Sequence, residues 1–415
     1  MNFIKSLVLV TVLCCFSCSN AQQKERLTIQ KPHVENNNSI ILASKVKLYS
    51  KRLGEERELL ISLPENYDQE IQDYPVIFVM DADHVAMFEL TRSINNLLAE
   101  TDFMPKSIIV GLTNNGNLNN RFQMTSGANR GSGFYENKAS DYLHFLQYVV
   151  IPYVKKNYRV ANHKTIIGLS PSNGPLHEAF YNQPNIFDSY IFLAADLYFN
   201  YSKSQSKGEK LMEAMKDKSH PKATVYLGMG SKDVDFNQKW GMQFSEYEAQ
   251  LTAAKNENIR FKFDIIEGDG HYEMAVKGIK NAFKHIYSED IWNRQNIYHA
   301  DRGNTPIDIK KHFDRLSAHY GFDIFPPESK IESQTRALLR WGSSENLTTA
   351  ITLLTQAIEY YPNSASLHLI LAEAYQKSND TNMTKRYLKK AIELANKFTV
   401  KNYHWFSKKV TELNE

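Results

Sequence analysis

The chain has 415 residues, which at roughly 100–200 residues per domain allows two or three domains and an ample buried core. Hydrophobic residues at 42% and charged residues at 23% exclude a disordered chain or a fibre. Lys+Arg 49 against Asp+Glu 46 leaves a net charge of +3, so no broad basic face marks a nucleic acid as partner.

Met1–Ala21 reads as an export signal. Lys5 supplies the positive end, and Leu7–Phe16 (LVLVTVLCCF) is an apolar run too short to span a bilayer comfortably. Ser19-Asn20-Ala21 ends in the small residues that precede signal cleavage. The expected product is periplasmic or extracellular. The rival is a lipoprotein anchored at Cys18, since Phe16-Ser17-Cys18 loosely resembles a lipobox, with Cys15 where that motif prefers Leu. Only that anchor would tie the chain to a membrane. All three cysteines (Cys14, Cys15, Cys18) fall inside this segment. The mature chain therefore has no disulfide and no thiol nucleophile.

Residues 22–44 are polar and read as a tether. From 45 to 290 strands alternate with helices. The strand signals are Glu58–Leu63, Val76–Met80, Ser107–Leu112, Thr165–Leu169, Tyr190–Ala194, Thr224–Gly228 and Phe261–Ile266. Several are continuous Val/Ile-rich runs, as strands buried on both faces require. Helical patterns cover His84–Leu98, Asp141–Lys156, Leu176–Tyr181, Phe244–Asn256 and Met274–Ile286. The alternation predicts an α/β domain, an open and mostly parallel sheet with flanking helices.

Residues 291–331 read as a connecting segment, with aromatic and charged residues mixed before Pro326-Pro327. Residues 332–415 read as a small all-α domain. Ala357-Ile358-Glu359 recurs as Ala391-Ile392-Glu393 at a spacing of 34 residues, the period of tetratricopeptide helix pairs. Two copies are too few for a free-standing solenoid. The pair is expected to dock on the α/β domain or on the final helix, either as plain support or as a surface for a protein partner.

The chemistry centres on Thr165-Ile166-Ile167-Gly168-Leu169-Ser170-Pro171-Ser172-Asn173. A β-branched strand enters Gly-x-Ser and then a helix, the setting of a nucleophile elbow. Ser172 stands where the common motif has its second Gly. Asp233 follows the strand Thr224–Gly228, and His271 follows Phe261–Ile266 within Gly268-Asp269-Gly270-His271. Ser, Asp, His is the chain order of α/β hydrolases. A serine needs a neutral imidazole as base, and the imidazole needs a carboxylate to fix its tautomer. Asp235 and Asp196 are weaker candidates for the acid, and Asp269 reads as a turn residue.

Residues 45–290 resemble the enterochelin-esterase-like, esterase-D-like branch of the α/β hydrolases. The resemblance rests on Leu63-Pro64-Glu65-Asn66-Tyr67, Tyr74–Asp81, Ile109-Val110-Gly111 with Asn120-Arg121, the Ser170 elbow with Pro184 and Phe187 after it, and Gly268–His271. The spacing to Pro184 selects Ser170 over Ser172 as nucleophile. The resemblance implies hydrolysis of an ester or thioester without a cofactor or metal, with a small-molecule or glycan ester as substrate. Siderophore esters and acylated glycans suit an exported enzyme. It also implies that Arg121 binds an anionic substrate group or tethers the loop Asn114–Gly133.

One position departs from the pattern. The residue after the nucleophile normally donates its N–H to the oxyanion, and here it is Pro171, which has none. The other donor is expected near Ala82 or Asp83, with the Ser172 hydroxyl or the Asn173 amide as substitutes for the missing one. Carboxylates at Asp81 and Asp83 must then point away. Pro171 also motivates a second reading, a pseudo-hydrolase that binds a ligand or protein without turnover. A dinucleotide-binding enzyme has the right sheet class, but Gly228-x-Gly230 lacks the rest of the fingerprint. Trp240 stands near the expected site and is a candidate for substrate stacking.

Overall fold

The computed structural model describes residues 42–124, 138–195, 197–202, 204–292, 297–298, 305–341, 343–400 and 402–414. The export signal, most of the polar tether and Asp196 lie outside the described residues. Eight strands form one sheet: β1 (Ser44–Ser50), β2 (Glu55–Ser62), β3 (Tyr74–Val79), β4 (Ile108–Leu112), β5 (Val160–Leu169), β6 (Ser189–Leu193), β7 (Ala223–Gly230) and β8 (Ile259–Ile266). Their order is β1-β2-β4-β3-β5-β6-β7-β8. β1 and β2 pair antiparallel, as do β2 and β4, and the other pairings are parallel.

Sequence composition explains which strands were legible. Every residue of β3, β4 and β6 is buried, because helices cover both faces of a parallel sheet. β1 is absent from the strand signals above. It is an edge strand carrying exposed Lys45 and Lys47, and outward lysines that guard an edge erase the apolar signal.

The helices are α1 (Met87–Glu100), α2 (Leu118–Gln123), α3 (Ala139–Phe145), α4 (Ile151–Asn157), α5 (Gly174–Asn182), α6 (Lys207–Lys216), α7 (Ser231–Phe236), α8 (Gln238–Ala254), α9 (Met274–Ile286), α10 (Glu289–Trp292), α11 (Pro306–Tyr320), α12 (Glu328–Trp341), α13 (Ser344–Tyr360), α14 (Ala365–Lys377), α15 (Thr381–Lys397) and α16 (Tyr403–Asn414). A π turn, Leu146–Val150, joins α3 to α4. One face of the sheet packs on α3, α5, α6 and α8. The other packs on α1 and α9, and that apolar cluster runs without a break into the C-terminal helices: Ile279 and Phe283 share it with Leu316, Leu338, Leu354 and Ile370. The fold is thus an α/β-hydrolase sheet with an all-helical C-terminal region fused to one of its helix layers.

Helix α11 lies inside the expected connector, and α12 begins at Glu328. Ala357 and Ala391 are both fully buried on α13 and α15, so the repeated small residue serves close helix packing. Polar contacts reinforce the junction. Trp292 Nε1 donates to the Asp102 carbonyl at 2.8 Å, and Asn363 Nδ2 donates to the Gln69 carbonyl at 3.1 Å. No helix among the described residues is long and apolar enough to cross a membrane.

Candidate active site

β5 lies inside the parallel block between β3 and β6, and its last residue, Leu169, is followed by Ser170 at φ +56°. A non-glycine residue in the left-handed region costs roughly 1–3 kcal/mol, a strain that collects at functional sites. Two features hold the turn. The Leu169 N–H donates to Ser172 Oγ at 2.8 Å, while that hydroxyl donates to the Leu169 carbonyl at 2.9 Å. Gly168 lets the turn fold back: a Cβ there would stand 2.7 Å from both Asn173 Oδ1 and the Ser172 carbonyl. The sequence motif therefore needs its glycine for a close approach of backbone to backbone.

β7 delivers Asp233 on the first turn of α7, and the loop after β8 delivers His271. His271 Nδ1 and Asp233 Oδ2 are 2.8 Å apart. Ser170, Asp233 and His271 line one cavity together with Met229, Trp240 and Phe244. Ser170 Oγ has no hydrogen-bond partner among the described residues. Sequence reasoning missed the clamp between the two loops. The Gly268 N–H donates to Ser231 Oγ at 2.9 Å, and the Lys232 N–H donates to the Asp269 carbonyl at 3.1 Å. A Cβ on Gly230 would stand 2.5 Å from that carbonyl oxygen. Gly230-Ser231 ahead of Asp233 was the available signal.

The expected oxyanion donors fare differently from one another. The Ala82 N–H donates to the Leu112 carbonyl at 2.9 Å, so it is spent on the sheet and is not a free donor. The Ser172 hydroxyl closes the elbow, and Asn173 Nδ2 donates to the Leu193 carbonyl at 3.0 Å; both expected substitutes are committed to backbone. The Asp83 N–H has no partner among the described residues. Both nearby carboxylates turn away: Asp83 accepts from the Asn114 and Gly116 N–H groups at 2.7 and 3.1 Å. Asp81, fully buried at φ +60°, accepts from Arg121 Nε and Asn114 Nδ2. Burial pushes the Asp81 carboxyl up, and Arg121 works against that rise.

Arg121 is 4% exposed, and one of its terminal nitrogens is buried without a partner among the described residues. α2, which carries Arg121, packs on the elbow. Its guanidinium carbon lies 5.8 Å from the Tyr272 ring centre, and that ring is 5.0 Å from the His271 ring. His84 stands 5.5 Å from the same tyrosine. Burial and the Arg121 charge hold the His84 imidazole below its usual pKa. Asp235 is exposed and is not among the residues lining the cavity.

A family model described as "Putative esterase" matches residues 50–284. A Bacillus subtilis (strain 168) protein described as "Uncharacterized protein YjcH" is 25% identical over 246 residues, covering 57% of this chain and 94% of that one. Among solved structures, an IroE-like serine hydrolase from Shewanella oneidensis superimposes with a TM-score of 0.62 at 20% identity, covering 75% of this chain and 98% of that one. An uncharacterised protein from Capnocytophaga ochracea covers 89% of this chain and 99% of its own, with a TM-score of 0.53 at 18% identity. That second match takes in most of the helical C-terminal region as well.

Proposed function

This chain belongs to the esterase family, and from that premise we propose that it is a serine carboxylesterase acting through Ser170, His271 and Asp233. One observation carries the reading: a strained serine at a strand-to-helix elbow shares a cavity with a histidine whose far nitrogen is held by a carboxylate.

With Asp233 bonded to Nδ1, the neutral imidazole presents Nε2 as the base. Ser170 Oγ attacks the ester carbonyl as His271 takes its proton. The tetrahedral intermediate collapses when His271 returns that proton to the departing alkoxide, leaving an acyl-enzyme. Water then attacks the acyl carbon, giving its proton to His271, and the acid leaves as Ser170 is reprotonated. In place of the N–H that Pro171 lacks, the Asp83 N–H and the buried Arg121 nitrogen serve as donors to the oxyanion. A siderophore ester or acylated glycan outside the cytoplasm is the substrate that fits the predicted export signal.

The test is labelling of the purified protein with a fluorophosphonate, the adduct being located by mass spectrometry. Stoichiometric modification of Ser170, lost in His271→Ala, is the expected result. A folded sample that stays unlabelled would overturn the esterase mechanism in favour of ligand binding without turnover.

A further inference from the structure

We infer that the cavity beside Ser170 is an acyl pocket for a neutral, apolar chain or single ring that carries one hydrogen-bond acceptor. The inference rests on the reading of Ser170 as the nucleophile and adds the chemical class of the acid released.

The walls are mostly apolar, with Ser170, Tyr198, Asp233, Gln243 and His271 as the polar lining groups. Ala194 and Ala195, where β6 ends, leave the space open beside the serine, and Leu197, Phe199, Met229 and Phe244 enclose it. Ala194 is itself held at φ +45°, so the strand end is bent at the point where the cavity begins. Among the described residues the one charged lining group is Asp233, which is already engaged by His271. A charged acyl chain placed here would lose its hydration with no counter-charge, a cost far above the gain from burying its methylenes.

Trp240 adds the specific feature. Its Nε1 is buried with no partner among the described residues, and the indole lines the cavity. Buried indole N–H groups ordinarily find an acceptor. Ser170, Tyr198 and Gln243 also line the cavity, yet none of them bonds this N–H, so the acceptor is assigned to the ligand: a carbonyl, ether or hydroxyl oxygen a few bonds from the ester. The apolar surface continues outward. Tyr198 lines the cavity while 47% exposed. The charged groups Arg121 and Asp83 line no part of this cavity, which leaves their side of Ser170 to the more polar alcohol half.

Turnover of methyl esters reads the pocket directly. Methyl pentanoate is expected to exceed the methyl monoester of succinate and methyl 4-aminobutyrate in kcat/KM by about 10²-fold or more. Methyl 4-oxopentanoate is expected to exceed its isostere methyl 4-methylpentanoate, and Trp240→Phe to shrink that ratio about three- to tenfold, the worth of one hydrogen bond. Equal rates for charged and neutral chains, or a ratio untouched by Trp240→Phe, would overturn the assignment while Ser170 labelling leaves the esterase reading intact. Binding of the same esters to Ser170→Ala, followed by tryptophan fluorescence, scores the cavity without turnover. Loss of charge discrimination there overturns the proposal whatever Ser170 does.

Discussion

Replacing Pro171 by Ala restores a backbone N–H at the position where an α/β hydrolase normally keeps one. The elbow should survive the change, because the reciprocal bonds between Ser172 Oγ and the Leu169 backbone hold the turn without the proline ring. Releasing the unfolded chain from the proline costs roughly 0.4–1 kcal/mol of stability, a small shift in Tm. Removal of one oxyanion donor elsewhere lowers kcat about 10²–10³-fold. The gain here is smaller if Arg121 already covers part of the deficit, so kcat/KM on a p-nitrophenyl ester should rise roughly ten- to a hundredfold. Arg121→Lys separates the contributions: it keeps a cation beside the buried Asp81 but removes the planar fork and its unpartnered terminal nitrogen. That change should cost far more in the native background than in the Pro171→Ala background. A Pro171→Ala enzyme with unchanged Tm and unchanged rate would refute the account of the missing donor. So would an Arg121→Lys penalty that is equal in both backgrounds.

Two further outcomes follow from contacts outside the chemistry. Ser231→Ala removes the acceptor of the Gly268 N–H and should lower kcat about three- to tenfold with KM unchanged, in line with one net hydrogen bond. Ser231→Thr keeps the oxygen and should restore the rate; equal loss in both variants would show that the clamp does not position His271. Glu328, at the start of α12, accepts from Ser364 Oγ, and burial pushes its carboxyl from 4.5 up to about 7. The folded state therefore binds this proton more tightly than the unfolded state does. Stability from this group is complete below about pH 4.5 and declines until about pH 7, by at most about 3 kcal/mol. Glu328→Gln should raise Tm at pH 8 and leave it nearly unchanged at pH 4.5; melting curves that shift equally at both values would exclude the effect.

The buried strands β3, β4 and β6 were legible because covering by helices on both sides demands unbroken apolar runs. Edge strand β1 was not, since one of its faces meets water and carries lysine. Helix α7 was hidden for a related reason: at six residues it is too short for a periodic stripe, although it carries Asp233. Ser170, Asp233 and His271 each follow a strand signal, and a parallel sheet sends every such loop to the same edge, where the three line one cavity. The donors were misjudged because a backbone N–H or a side-chain amide shows no trace in sequence of the bond it already makes. Ala82, Ser172 and Asn173 all proved committed to backbone carbonyls.

The sequence alone determined the sheet class, the elbow, the chain order of Ser170, Asp233 and His271, and the helical character of the C-terminal region. All of these follow from local pattern and from the order of elements along the chain. Tertiary structure decided that the helices fuse with the α1 and α9 layer, that Asp81 and Arg121 form a buried ion pair, and that Trp240 lines a mostly apolar cavity with its N–H unused. These depend on which distant surfaces meet once the chain is folded, and burial and partnership are properties of the meeting rather than of either residue.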